Sequence, residues 1–445
     1  MNKRVNNRCR LKAATVFAGL LAVSVSAGEP SLQERIDAAS PGDEIVVDGG
    51  VHQGNLLVDR PLTLTGIDRP HIKGDGDGHT VAIRSEGVTL QGFRITDSGL
   101  NLSADHAAVH VKAANARIRD NDISEALHGI YVHGVGGVRV EGNRIRGIEV
   151  TEAGNIGAAA PASLGSGDLC SVSRDRRGNG VHFWNSSGNS IVGNEISGVR
   201  DGIYFSFTRE SRVERNLVRD ARYGLHYMYS DRNYFSRNRF TENVAGAALM
   251  FSKEVVVRDN DFVDNRGSRA YGLLLHNVDS STIENNRMKR NRVGYYMQNS
   301  HANTARRNHF VLNYIGLRLT SSSTSNLFSY NEIGRNLHNI SLAGRDNSNE
   351  WAENGVGNRW LDSPTLDLDG DGVSALPHRE VDVFGGTRDD FPFVAFLSES
   401  PGIKALRFAL QRSPVPDTHF ITDSRPLAPG SRHSVSDTLE ARRNR

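Results

Sequence analysis

A glycine followed fourteen positions later by an asparagine recurs seven times along this chain, as Gly129 with Asn143, Gly180 with Asn194, Gly202 with Asn216, Gly224 with Asn238, Gly246 with Asn260, Gly272 with Asn286 and Gly294 with Asn308. Four of the steps from an asparagine to the next glycine are eight positions, which sets a repeat period of 22. A unit that short cannot bury an apolar face by itself, and its neighbours must stack on it to do so. Two steps are longer. Asn260 to Gly272 is twelve positions, a four-residue insert around Arg266 to Arg269, and Asn143 to Gly180 spans 37, an insert of 29 that covers the Gly/Ala/Ser-rich stretch at about 149–179. Both inserts fall in turns.

Each unit reads as three short alternating strands, with glycine at corners and an asparagine whose amide can hydrogen-bond to the next unit. That pattern predicts an all-β chain, a right-handed parallel β-helix of the pectin-lyase-like type, with rungs over 45–345. A leucine-rich repeat is the structural rival, but its Leu-rich helix-forming segment is missing. With 45 glycines and only 7% aromatic residues, the composition suits short strands and tight turns. Ser31 to Ala39 reads as a helix inside an N-terminal cap of 28–44. Residues 346–400 read as a C-terminal cap region. Pro401-Gly402 opens a helix with Ile403, Leu406 and Leu410 at helical spacing, which continues as an extended arm to 430 before a disordered tail at 431–445.

The segment 1–27 is a targeting signal. Lys3, Arg4, Arg8, Arg10 and Lys12 precede the apolar run Ala13 to Val25, and Val25-Ser26-Ala27 offers a small-residue cleavage site. That run is too short to span a hydrocarbon core, which takes about 20 helical residues. Removing the five basic residues turns the formal charge of +2 into −3, which argues against a nucleic-acid partner. Cys9 leaves with the signal and Cys170 stands alone, so an internal disulfide is excluded in the exported protein.

Alternation sorts the side chains into columns. Positions one and three after each glycine, among them Val181, Phe183, Leu225, Tyr227, Leu273, Leu275, Tyr295 and Met297, face inward. So does the column two past each asparagine, which includes Phe240, Phe262 and Met288. Positions two and four face outward, and there His226, Met228, Met250 and His276 fall on one face. Rungs stack about 4.8 Å apart, so Met228, Met250 and His276 form a vertical ladder with His226 beside it. Two thioethers and two imidazoles favour copper, Cu(I) above all, over hard cations. The same stripe also reads as an exposed apolar surface for docking a partner.

Tyr223-Gly224-Leu225-His226-Tyr227-Met228-Tyr229-Ser230, its echo Gly246 to Ser252, and the stretch from Asn358-Arg359-Trp360 through Asp367-Leu368-Asp369-Gly370-Asp371-Gly372 resemble the NosD family, periplasmic maturation factors of nitrous oxide reductase. The resemblance covers nearly all of the mature chain. It departs at Phe251, where a tyrosine would match, and in the insert that holds Cys170. It implies a non-enzymatic protein in the periplasm, peripheral to an inner-membrane ABC transporter of NosF and NosY type. It also implies a copper donor lipoprotein of NosL type and delivery towards the copper centres of nitrous oxide reductase. In that setting the C-terminal helix would reach the membrane subunit, whereas its spacing alone reads equally as a cap on the upper edge of the solenoid.

Two other readings are weaker. Asp367, Asp369 and Asp371 mimic the start of a calcium loop, but the twelfth position is His378 instead of a bidentate glutamate, so an Asx-rich turn is preferred. An exported β-helix lyase or uronate epimerase would act on a polysaccharide. It needs a base beside an arginine in a groove, and the outward columns show no such pair near the ladder.

Overall fold

The computed structural model describes residues 29–148, 177–267, 270–344, 348–384, 397, 400–412 and 419–431. The signal segment, Cys170, nearly all of the long insert and the tail from 432 lie outside the described residues. Each rung gives one strand to each of three parallel sheets, which hold 12, 13 and 12 strands among the described residues. The first sheet runs from Glu44–Asp48 to Leu327–Ser329, the second from Val51–Gln53 to Arg359–Trp360, and the third from Leu56–Val58 to His338–Ala343. The chain is a parallel β-helix, and its columns follow the sequence register. Phe183, Tyr227, Leu273, Leu275, Met288, Tyr295 and Met297 are all fully buried.

The asparagines form a continuous stack between the first and second sheets. The backbone N–H of Asn216 donates to Asn238 Oδ1, that of Asn238 to Asn260, and that of Asn260 to Asn286, at 2.9–3.0 Å. Each Nδ2 also donates upward, as from Asn238 to Asn260 Oδ1 at 2.9 Å. An amide carries both an acceptor and donors, so one buried side chain serves the rungs on either side. Across the four-residue insert the partner is 26 residues on instead of 22, and the stack continues unbroken.

Glycine differs from its expected place. Gly224 lies within the strand Tyr223–Met228, not at a turn, and a Cβ there would sit 2.6 Å from the carbonyl oxygen of Gly246. The repeat needs glycine for close backbone approach. Five positions after the glycine, several rungs hold a left-handed non-glycine residue, among them Phe207, Tyr229, Phe251, Asn277 and Asn299.

Both ends of the solenoid are closed. At the lower end, helix α1 (Leu32–Ala38) is opened by a Ser31–Glu34 capping box and buries Leu32 and Ile36 against the first rung. Its Gln33 accepts from the N–H of Leu57 and donates to the same residue's carbonyl, pairing the open edge of the third sheet. At the upper end, His378–Asp382 pairs antiparallel with His419–Asp423. Asp382 Oδ2 accepts from Leu342 N–H at 2.9 Å. The stretch read as an arm thus contributes a strand to the closure. Helix α2 (Pro401–Arg412) packs beside that pair through Leu410, leaving Leu406 and Phe408 44% and 56% exposed.

Candidate metal centre

The outward ladder lies on the third sheet. Strand Tyr223–Met228 pairs with Ala245–Lys253 so that Met228 faces Met250, and Ala245–Lys253 pairs with Tyr271–Asp279 so that Met250 faces His276. The three side chains therefore occupy one column on consecutive rungs, each half-buried. His226 stands one column over, level with Ala248 on the next rung. The register brings together all four residues read from the sequence. The column below Met228 continues as Ser206, and above His276 as Gln298, so the soft donors stop at both ends.

Three neighbours shape this set. Asp201, fully buried, accepts from Nδ1 of His226 at 3.0 Å and receives both arms of the Arg222 guanidinium at 2.9 and 2.7 Å. A carboxylate can only accept, so the proton of a neutral His226 sits on Nδ1 and its Nε2 lone pair is free for an ion. Burial pushes the Asp201 carboxyl up, but the hydrogen bonds from His226 and Arg222 outweigh it and hold the group below its ordinary range. The Tyr204 hydroxyl donates to Met228 Sδ at 3.8 Å, a contact that engages one of the thioether's two lone pairs. Phe251 meets the His276 ring edge to face, with centroids 5.2 Å apart and planes at 87°.

Sequence reasoning passed over Asp201 and Arg222, and their positions correct the reading that the outward columns near the ladder hold no arginine beside a candidate base, Arg318 lying far off. Strict alternation puts the residue before each glycine inside. Asp201 and its rung-neighbour Tyr223 lie instead beside the outward His226, with Asp201 hydrogen-bonded to it and the Tyr223 ring 4.9 Å from its ring. The available signal was an acidic residue at a position held by Tyr223, Ala245, Tyr271 and Val293 on later rungs.

Beyond the rungs, Asp367, Asp369 and Asp371 are the one group of three or more His, Cys, Asp or Glu among the described residues whose ligand atoms all lie within 4.8 Å of one another. All three are exposed. Their oxygens already serve the turn, since Asp367 accepts from Gly370 and Gly372 N–H and Asp371 from Val373 N–H. His378, at the twelfth position, turns to Ser363 and Glu380 instead. That is the Asx-rich turn of the sequence reading.

Known proteins resemble this chain. A family model described as NosD, periplasmic copper-binding protein, matches residues 164–365. A protein of Pseudomonas aeruginosa named probable ABC transporter binding protein NosD is 34% identical over 395 residues, covering 85% of this chain and 86% of that one. One of the same name from Stutzerimonas stutzeri is 31% identical, with 85% of each chain covered. Among solved structures, the Dettilon tailspike protein superposes with a TM-score of 0.54 at 14% identity, over 69% of this chain and 63% of that one, a likeness of fold alone.

Proposed function

The chain belongs to the NosD family, and from that premise we propose that it is a periplasmic, non-enzymatic copper carrier that holds Cu(I) on Met228, Met250 and His276 with His226 alongside. The observation that carries this reading is the in-register stacking of two thioethers and an imidazole on one column, beside an imidazole whose tautomer is fixed by a buried carboxylate. Soft and borderline donors without a coordinating carboxylate select Cu(I) over Mg²⁺ or Ca²⁺. Copper is cargo here. The relatives are named probable ABC transporter binding proteins. This chain accordingly works beside a transporter with NosY-type membrane and NosF-type ATPase subunits. It takes copper from a NosL-type lipoprotein and passes it towards nitrous oxide reductase. The exposed Leu406 and Phe408 of α2 suit a contact with the membrane subunit.

One observation favours a second reading. Tyr204, His226, Asp201 and Arg222 converge on the outer face, as the residues of a uronate lyase or epimerase would. Against it, the Arg222 guanidinium is already committed to Asp201, and burial pushes the Tyr204 phenol up, away from use as a base.

The test is anaerobic Cu(I) titration of the mature protein and of the Met228→Ala, Met250→Ala double variant, with a polyuronate turnover assay alongside. Wild type should bind Cu(I) and turn over nothing. The double variant should lose binding while the fold is retained, each half-buried thioether costing less than the roughly 2 to 5 kcal/mol of a fully buried methionine. A double variant that binds Cu(I) like wild type, yet fails to mature the reductase in cells, would make the stripe a docking surface and overturn the assignment.

A further inference from the structure

Eight of the chain's 16 histidines, His79, His106, His110, His128, His133, His182, His226 and His276, gather on or against the outer face of the third sheet. Only His226 and His276 belong to the ladder. The others cluster several rungs lower, where the ladder has no use for them. His110 pairs in register with Tyr131, and Tyr131 with His182, which makes a column of rings below His226.

At its lower end the His79 and His110 rings lie face to face, with centroids 3.9 Å apart and planes within 4°. His106 meets His79 edge-on at 5.9 Å, and His133 lies 6.4 Å from His110. The Nδ1 atoms of His79 and His110 are both buried and have no hydrogen-bond partner among the described residues. A buried ring nitrogen without a partner is costly, and folded proteins rarely keep two side by side. The backbone also makes room here. A Cβ at Gly99 would sit 2.0 Å from His106 Nδ1, so this loop admits the ring only because residue 99 is glycine.

We propose that His79 and His110, with His106 and His133, form a second metal site, for a late first-row ion held by imidazole nitrogen alone. The site would bind by closing, because the four rings do not yet converge on one point, and rotation of the stacked rings would turn their Nδ1 lone pairs onto the ion. Late first-row ions follow imidazole in preference to hard cations, and Cu²⁺ binds such nitrogen sites most strongly of the divalent series. The local charge is mixed. Arg84 and Lys112 lie near His110, while Asp105 lies near Tyr131 beside it. The site differs from the ladder in donor chemistry, and the inference does not depend on the ladder reading.

That difference also provides the test. The full-length mature protein carrying Met228→Ala and Met250→Ala is titrated with Cu(II) and followed by electron paramagnetic resonance. One equivalent should bind with couplings from two or more imidazole nitrogens. Adding His79→Gln and His110→Gln should abolish that signal. The same two glutamine changes in an otherwise wild-type protein should leave Cu(I) binding by the ladder unchanged, with circular dichroism showing the β-helix intact. If glutamine disturbs the fold, His79→Asn with His110→Asn is used instead. A Cu(II) signal that survives loss of both histidines, or no Cu(II) signal with nitrogen couplings in the parent, overturns the proposal. Loss of Cu(I) binding in the ladder variant alone decides the ladder and leaves this site untouched.

Discussion

The Nδ1 atom of His226 donates to Oδ2 of Asp201 at 3.0 Å, and that one bond decides which nitrogen of the imidazole keeps a lone pair. The carboxylate comes from the rung below, so the rung spacing itself orients a ligand of the ladder. Asp201→Asn keeps the size but lets the amide present either an acceptor or a donor. Carboxylates behind metal-bound histidines are typically worth about 10- to 100-fold in affinity. The variant should therefore bind Cu(I) about 10- to 100-fold more weakly in competition with a chelator. An unchanged affinity would remove His226 from the coordination shell.

The methionines supply their own control. Met288 and Met297 are fully buried on inward columns, whereas Met228 and Met250 are half-buried on the outward one. Met288→Ala and Met297→Ala should each cost about 2 to 5 kcal/mol, because each leaves a cavity the stacked rungs cannot close. The protein that still folds should titrate with Cu(I) as wild type does. Urea melts and copper titrations on the same preparations separate the two effects, and copper loss in the core pair would show that the face assignment is wrong.

The spacing of Gly224 and Asn238 sufficed to place the inward columns one and three past each glycine and two past each asparagine, and the Met228, Met250, His276 ladder, because parallel stacking at a fixed period turns sequence distance directly into spatial register. What it could not convey is set by departures from that period. Asp201, just before its glycine, bonds to the outward His226 where alternation puts it inside, and the upper closure joins His378–Asp382 to His419–Asp423 across a long stretch of chain. The paired rings of His79 and His110 were also hidden, since His79 and His106 lie in connecting segments that carry no repeat signal.

Phe251 holds a left-handed corner at φ 51°, where the next two rungs place Asn277 at 53° and Asn299 at 47°. Asparagine tolerates that conformation and a bulky aromatic does not, at about 1–2 kcal/mol. Phe251 also stacks on Tyr229 at 5.0 Å, a contact worth about 0.5–1.5 kcal/mol, so the two effects nearly cancel. Phe251→Asn should accordingly change stability by less than about 1 kcal/mol. It should still weaken Cu(I) binding by up to about tenfold, because His276 loses the ring packed against it. Thermal melts and chelator competition test the pair, and a large loss of stability with normal copper binding would make the aromatic corner purely structural.

The asparagine stack ends on a carboxylate. Asp423 Oδ2 accepts from the backbone N–H of Asn358 at 2.7 Å, its Nδ2 at 3.2 Å and Trp360 Nε1 at 3.0 Å, and Oδ1 accepts from Arg425 N–H at 3.1 Å. Asp423→Ala leaves these buried donors without an acceptor, at about 1–3 kcal/mol for each one left unsatisfied, so the upper closure should loosen and the melting temperature fall. Asp423→Asn isolates the charge. Burial raises the carboxyl above its ordinary value despite the opposing hydrogen bonds. A group raised on folding contributes stability that is complete below its unfolded value, near 3.8, and is lost as the pH climbs through the folded value. The stability of wild type relative to Asp423→Asn should therefore decline from pH 4 to pH 7, with contributions common to both proteins cancelling in the difference. Urea melts at both pH values measure it. A difference that grows towards neutral pH would mean that the donors of Asn358, Trp360 and Arg425 outweigh burial and that the carboxylate is the preferred form in the folded protein.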